Sequence, residues 1–179
     1  GLENALKALE SSKCGWKEEN GIINLSTISN GATGKEWVMK FLKLYNLGTE
    51  AESMLLSQSF STTNNIENKI VIIKDSYFKD GTDLIKKVYA EAKNRNWSKP
   101  SAETACNLRE ILSDEDIREM NLTRILVMHE PINDFMNDPS LFCLDSDSRG
   151  KWLSALSEKT KRIREKKTGF AFSVSSIQT

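Results

Sequence analysis

Apolar residues along this chain fall into short blocks with two different periods, and the blocks predict alternating helices and strands. Leu2, Leu6 and Leu9, with Ala5 and Ala8, follow helical spacing until Cys14-Gly15-Trp16 interrupts it. Ile22-Ile23-Asn24-Leu25 predicts a short strand, and Ser29-Asn30-Gly31-Ala32-Thr33-Gly34 a turn cluster. Thr33, with Glu36 three residues on, forms a capping box. It opens a helix carrying Trp37, Val38, Phe41, Leu42, Leu44 and Tyr45, which Gly48 ends. Thr49 opens a short helix with Ala51, Met54, Leu55 and Leu56 inward. The polar, Asn-rich residues 57–68 predict a surface loop, and Ile70-Val71-Ile72-Ile73 a strand. Leu84, Ile85, Val88, Tyr89 and Ala92 mark an amphipathic helix with Lys86, Lys87, Lys93 and Arg95 outside. Ser101 and Ser113 are caps for two further helices.

The most informative block follows. Arg124-Ile-Leu-Val-Met-His129-Glu130-Pro131 is an apolar run closed by the only histidine, a glutamate and a helix breaker. It predicts a buried strand whose end is a place where α/β proteins often carry chemistry. Leu141-Phe142-Cys143-Leu144 and residues 169–174 predict two more strands, while Trp152-Leu153 and Leu156 fit either helix or strand. The expectation is one domain over residues 1–179, of α+β (or α/β) class. Helices pack on a small sheet of about four or five strands.

Composition narrows the function classes. The chain has 179 residues, with 25 Lys+Arg against 25 Asp+Glu and a net charge of zero. A whole-surface basic field for nucleic acid is therefore absent. No apolar run approaches the ~20 residues of a membrane span, so no membrane partner is expected. Cys14, Cys106 and Cys143 are too far apart for a C-x-x-C and odd in number. That argues against a disulfide framework and for a reducing, cytoplasmic setting.

Several motifs come close and lack an essential member. His129-Glu130 opens like H-E-x-x-H, but Asn133 stands where the second histidine belongs and Pro131 breaks the helix. Asp145-Ser146-Asp147 opens like a calcium loop, yet Arg149 and Leu156 occupy two ligand positions. Gly34-Lys35 has the look of a phosphate loop, but Ser29 and Glu36 stand at required Gly and Ser/Thr positions. Glu67-Asn68-Lys69 resembles a nuclease E-x-K without any upstream Pro-Asp. No G-x-S-x-G elbow exists, while a Cys–His pair using Cys106 or Cys143 stays open.

Gly34-Lys35-Glu36-Trp37, Ala102-Glu103-Thr104-Ala105-Cys106, Leu108-Arg109, Ser113-Asp114-Glu115-Asp116-Ile117, Val127-Met128-His129-Glu130-Pro131-Ile132, Trp152-Leu153 and Gly169-Phe170-Ala171-Phe172 together carry a resemblance. Over residues 21–174 the chain resembles a group of small bacterial hypothetical proteins with a Met-His-Glu-Pro-Ile core. The group's Lys-Asp, then Gly and Asp, after that core is replaced here by Asn133-Asp134-Phe135-Met136-Asn137-Asp138-Pro139. The resemblance implies a single complete domain in an intracellular bacterial, phage or mobile-element setting, and no particular chemistry.

The leading functional expectation is a binding domain for a protein partner. The alternative is a metal-assisted hydrolase acting on a phosphoester. It would use His129 and Glu130 as catalytic candidates, with Asp145 and Asp147 as metal ligands. The second alternative is nucleic-acid binding through the basic run Lys159–Lys167. Lys161, Arg162, Arg164 and Trp152 are the candidate binding residues, and no cofactor is called for.

Overall fold

The computed structural model describes residues 2, 15–147, 150–157, 159–160 and 167–175. Its strands are β1 (Lys17–Glu19), β2 (Ile22–Asn30), β3 (Asn46–Leu47), β4 (Asn64–Lys74), β5 (Trp97–Ser98), β6 (Arg124–Val127), β7 (Ile132–Asn133), β8 (Pro139–Asp147), β9 (Gly150–Leu156) and β10 (Thr168–Val174). The helices are α1 (Gly34–Leu44), α2 (Thr49–Leu55), α3 (Leu84–Asn94), α4 (Glu103–Ile111) and α5 (Asp114–Glu119).

One mixed sheet of ten strands runs in the order β1-β2-β4-β10-β6-β8-β9-β3, with β5 paired to β10 and β7 to β8. The β10–β6 and β9–β3 pairs are parallel and the other pairs antiparallel. The small sheet of four or five strands expected above is thus corrected to a sheet about twice that size, with five α-helices among the described residues.

Short strands raise the count, and two expected strands run longer than their apolar cores. β3, β5 and β7 have two residues each, too few to show a period. β4 extends back through Asn64–Asn68, which was expected to be loop because most of its side chains are exposed. β2 runs to Asn30 because its inward positions Thr27 and Ser29 are hydroxyls rather than hydrocarbons. Ser29 Oγ accepts from Ile66 N at 2.9 Å and lies 2.8 Å from Thr63 Oγ1. Thr63 in turn donates from N and Oγ1 to the buried Glu103 carboxylate on α4. A polar strip therefore does the work that apolar alternation does elsewhere in the sheet.

The two faces of the sheet bury different sets of residues, as a period of two requires. Ile23, Ile72, Ile125, Phe142 and Leu144 meet Trp37, Phe41, Met54, Cys106, Leu108 and Ile117 from α1, α2, α4 and α5. Val71, Ile73, Leu126, Cys143 and Phe172 meet Leu84, Val88 and Ala92 from α3. Gly34 begins α1 where a Cβ would lie 1.9 Å from the Leu55 carbonyl oxygen. The glycine that gave Gly34-Lys35 its phosphate-loop look is thus required for α1 to pack against the end of α2.

Candidate functional site

His129 follows β6, and the fold encloses it: 1% of the residue is exposed. Its Nε2 accepts from Phe142 N on β8 at 2.9 Å. Its Nδ1 lies 2.8 Å from the Glu130 carbonyl oxygen, which only a ring N–H can satisfy. Those two partners fix the neutral Nδ1–H tautomer. Burial pushes the imidazole pKa down to about 4, against the opposing pull of the Glu130 carbonyl bond. Its ring centroid is 5.3 Å from that of Phe142, whose other contacts include Phe60. Nε2 thus ties the chain after β6 to β8, Nδ1 is spent on the neighbouring Glu130 carbonyl, and no lone pair is left to act as a base.

The acidic candidates are not gathered around that ring. Glu130 turns outward, its side chain 83% exposed, and pairs with Lys99 at 3.1 Å. Asp145 sits on β8 with one oxygen on Arg124 Nε at 2.9 Å and the other on Ser154 Oγ at 2.7 Å. Asp147 ends β8 with its backbone paired to Gly150, and its side chain lies outside the described part. Among the described residues no group of three or more His, Cys, Asp or Glu converges to hold a metal ion. Cys106 and Cys143 are buried thiols, each pushed well above the usual range by burial. Trp152 lies half-buried on β9, opposite Asp145, and gives its carbonyl to Arg109 at 3.3 Å. Lys161, Arg162 and Arg164 fall outside the described residues.

Arg109 was not singled out by the sequence, yet it is fully buried on α4. It donates to the carbonyls of Asp145 and Leu112, and it pairs with Asp114 at 3.2 Å. Burial lowers its pKa, with Asp114 opposing that shift. These contacts join α4 to β8, β9 and the start of α5, a structural role in keeping with a buried, multiply bonded guanidinium.

The chain segment rooted by His129 is more distinctive. Residues 130–139 lead through β7 to β8 and expose Phe135 and Met136 by 59% and 71%. The loop carrying them is tightly bonded. Asp134 Oδ1 accepts from Met136 N at 2.8 Å and from Asp138 N at 3.1 Å. Asp134 N donates to the Asp138 carbonyl, and Asn137 N to the Asp134 carbonyl. Asn137 adopts φ 60°, a left-handed turn that asparagine tolerates, and its side chain accepts from Asn133. Phe135 N donates to Ser53 Oγ on α2 at 3.0 Å, which seats the loop against that helix. Leu56, one turn beyond Ser53 and expected to point inward, is 56% exposed instead.

Both segments that meet here are acidic. Residues 48–68 contain Glu50, Glu52 and Glu67 and no Lys or Arg. Residues 130–148 contain Glu130, Asp134, Asp138, Asp145 and Asp147, again without Lys or Arg. Two adjacent large apolar side chains inside a polar loop were the legible signal for this site. The resemblance drew attention to the loop only as a departure.

Comparisons with known protein families, with curated proteins and with solved structures find no match to this chain. Among the described residues no helix is long and apolar enough to cross a membrane.

Proposed function

We propose that this chain is a protein-interaction domain whose docking element is the Phe135–Met136 knob. The observation that carries the reading is an exposed pair of large apolar side chains on a loop held by backbone and side-chain hydrogen bonds. Exposed hydrophobics on a floppy loop would lose affinity to ordering, whereas a locked loop has already met that cost. Aromatic and Met side chains are enriched at interface centres. The loop's own acids, Asp134 and Asp138, favour a partner with an apolar pocket and a basic rim. His129 serves this reading as a staple at the root of the loop rather than as a reacting group.

The test is photocrosslinking from a benzoylphenylalanine placed at position 135 in the producing cell. The captured protein is then purified and titrated calorimetrically against wild type and Phe135→Ala/Met136→Ala. Loss of two central anchors is expected to weaken binding by at least about 30-fold, since interface hot spots are worth about 2 kcal/mol or more. A partner bound equally well by the double variant removes the reading.

A further inference from the structure

The opposite face of the sheet carries a surface complementary to the knob. Where β2, β4 and β10 leave the cover of α3, two hollows of ≈ 510 Å³ and ≈ 480 Å³ adjoin, sharing Asn24 and Val174 in their linings. Each is within the ~300–1,000 Å³ range of pockets that hold a compact ligand. Ile22, Val71 and Val174, with Trp97 and Tyr77, give the first an apolar part within a lining that Glu19, Asn20, Asn24 and Arg95 make largely polar.

Arg95 sits in this trough as one half of an ion pair with Glu91 at 2.8 Å. The Arg95 guanidinium lies over both the Tyr77 and Trp97 rings, at 5.7 Å and 5.3 Å from their centroids. It spends Nε on Glu91 and Nη2 on Tyr77 Oη, which leaves Nη1 without a partner among the described residues. Lys17 and Lys69 line the second hollow, both exposed and without an acidic partner among the described residues. Arg95 is balanced by Glu91, and Glu19 is the one carboxylate among the described residues lining either hollow, so Lys17 and Lys69 leave the trough with a basic excess.

Resting on the docking role of Phe135–Met136 set out above, we infer that the partner is a second copy of this chain. The apolar knob of one copy seats in the β2–β4–β10 trough of the next. The acidic rim of the knob meets the basic rim of the trough. Charge complementarity argues for this occupant: a chain of zero net charge places Asp134 and Asp138 in the loop of its exposed apolar knob, and Lys17 and Lys69 at its trough. Knob and trough lie in different places, the knob loop bonded to α2 and the trough on the face that α3 covers. The contact is therefore head-to-tail, and it propagates unless the rotation closes a ring.

Sedimentation velocity of the whole chain tests this between about 10 µM and about 1 mM, the span of weak to moderate interfaces. Wild type is expected to rise in mean mass above the 20.2 kDa monomer as concentration increases. The rise should be smaller at 1 M salt, where charge contacts are screened within about 3 Å. Phe135→Ser/Met136→Ser and Lys17→Glu/Lys69→Glu change only exposed side chains. Each variant is expected to stay monomeric with its melting temperature within a few degrees of wild type. Mixed together they retain one intact knob and one intact trough, so heterodimers form and nothing larger. Wild type that stays monomeric throughout overturns the inference, as does self-association that survives both pairs of substitutions. Neither result touches the docking role of the knob, which the crosslinking at position 135 decides.

Discussion

Protonation of His129 is the perturbation whose size follows most directly from the structure. The folded ring is neutral, with a pKa of about 4 set by burial, while the unfolded ring titrates near 6.5. Below pH 6.5 the unfolded chain binds a proton that the folded chain refuses, so stability falls as pH falls. The loss runs from about pH 6.5 down to about 4 and is complete below that. At about 1.4 kcal/mol per pH unit, the full span is worth about 3 kcal/mol. That is a large part of the 5–15 kcal/mol typical of a folded domain. Urea unfolding of wild type and His129→Gln at pH 7.5 and pH 4.5 isolates the effect, because every carboxylate is common to both proteins. The variant lacks the titration, so wild type should lose about 2–3 kcal/mol relative to it over that interval. A stability difference that stays constant within about 0.5 kcal/mol would show a ring free to ionise in the folded state. That result would return His129 to candidacy as an acid–base group.

Other consequences are simpler. Gly34→Ala places a methyl against the Leu55 carbonyl oxygen and should cost about 1–3 kcal/mol through forced separation of α1 and α2, read as a lower melting temperature. Arg109→Met leaves the Asp145, Trp152 and Leu112 carbonyls and the Asp114 carboxylate without their donor. It is expected to destabilise by about 3 kcal/mol in denaturant titration, and an unchanged midpoint would contradict the role given to that side chain. Asp134→Ala removes the acceptor for two backbone N–H groups of the knob. Amide exchange of Met136 and Asp138 should quicken while the core strands keep their protection.

Much of the architecture is legible from hydrocarbon alone. The Ile70–Ile73 and Arg124–Val127 runs are strands because each alternates between two buried faces, leaving no polar side to interrupt the apolar string. The cap expected at Ser113 is present, and Asp116 completes it as a capping box with both reciprocal bonds. What escaped was structure held by polar atoms. The end of β2 is buried through Thr27 and Ser29, and Glu103 sits inside because Thr63 satisfies it. Neither leaves a hydrophobic trace. The candidate site was half legible. His129 was identifiable as the sole imidazole at a strand end, but which groups would satisfy its nitrogens depends on β8 arriving alongside. That pairing is long-range and has no local signature. Phe135-Met136 stood in the sequence as two apolar residues in a polar run, and it is the Asp134 bonds within the loop and the seating of Phe135 N on Ser53 that distinguish an ordered knob from a loose turn.

Backbone 15N relaxation over residues 133–139 of the isolated protein reaches the core of the account, because a pre-formed knob must be rigid before any partner arrives. Order parameters near 0.85 for Phe135, Met136 and Asn137, like those of the flanking strands, are the predicted result. Values below about 0.6 confined to these residues would mean a mobile loop, and a locked docking element would no longer describe this protein.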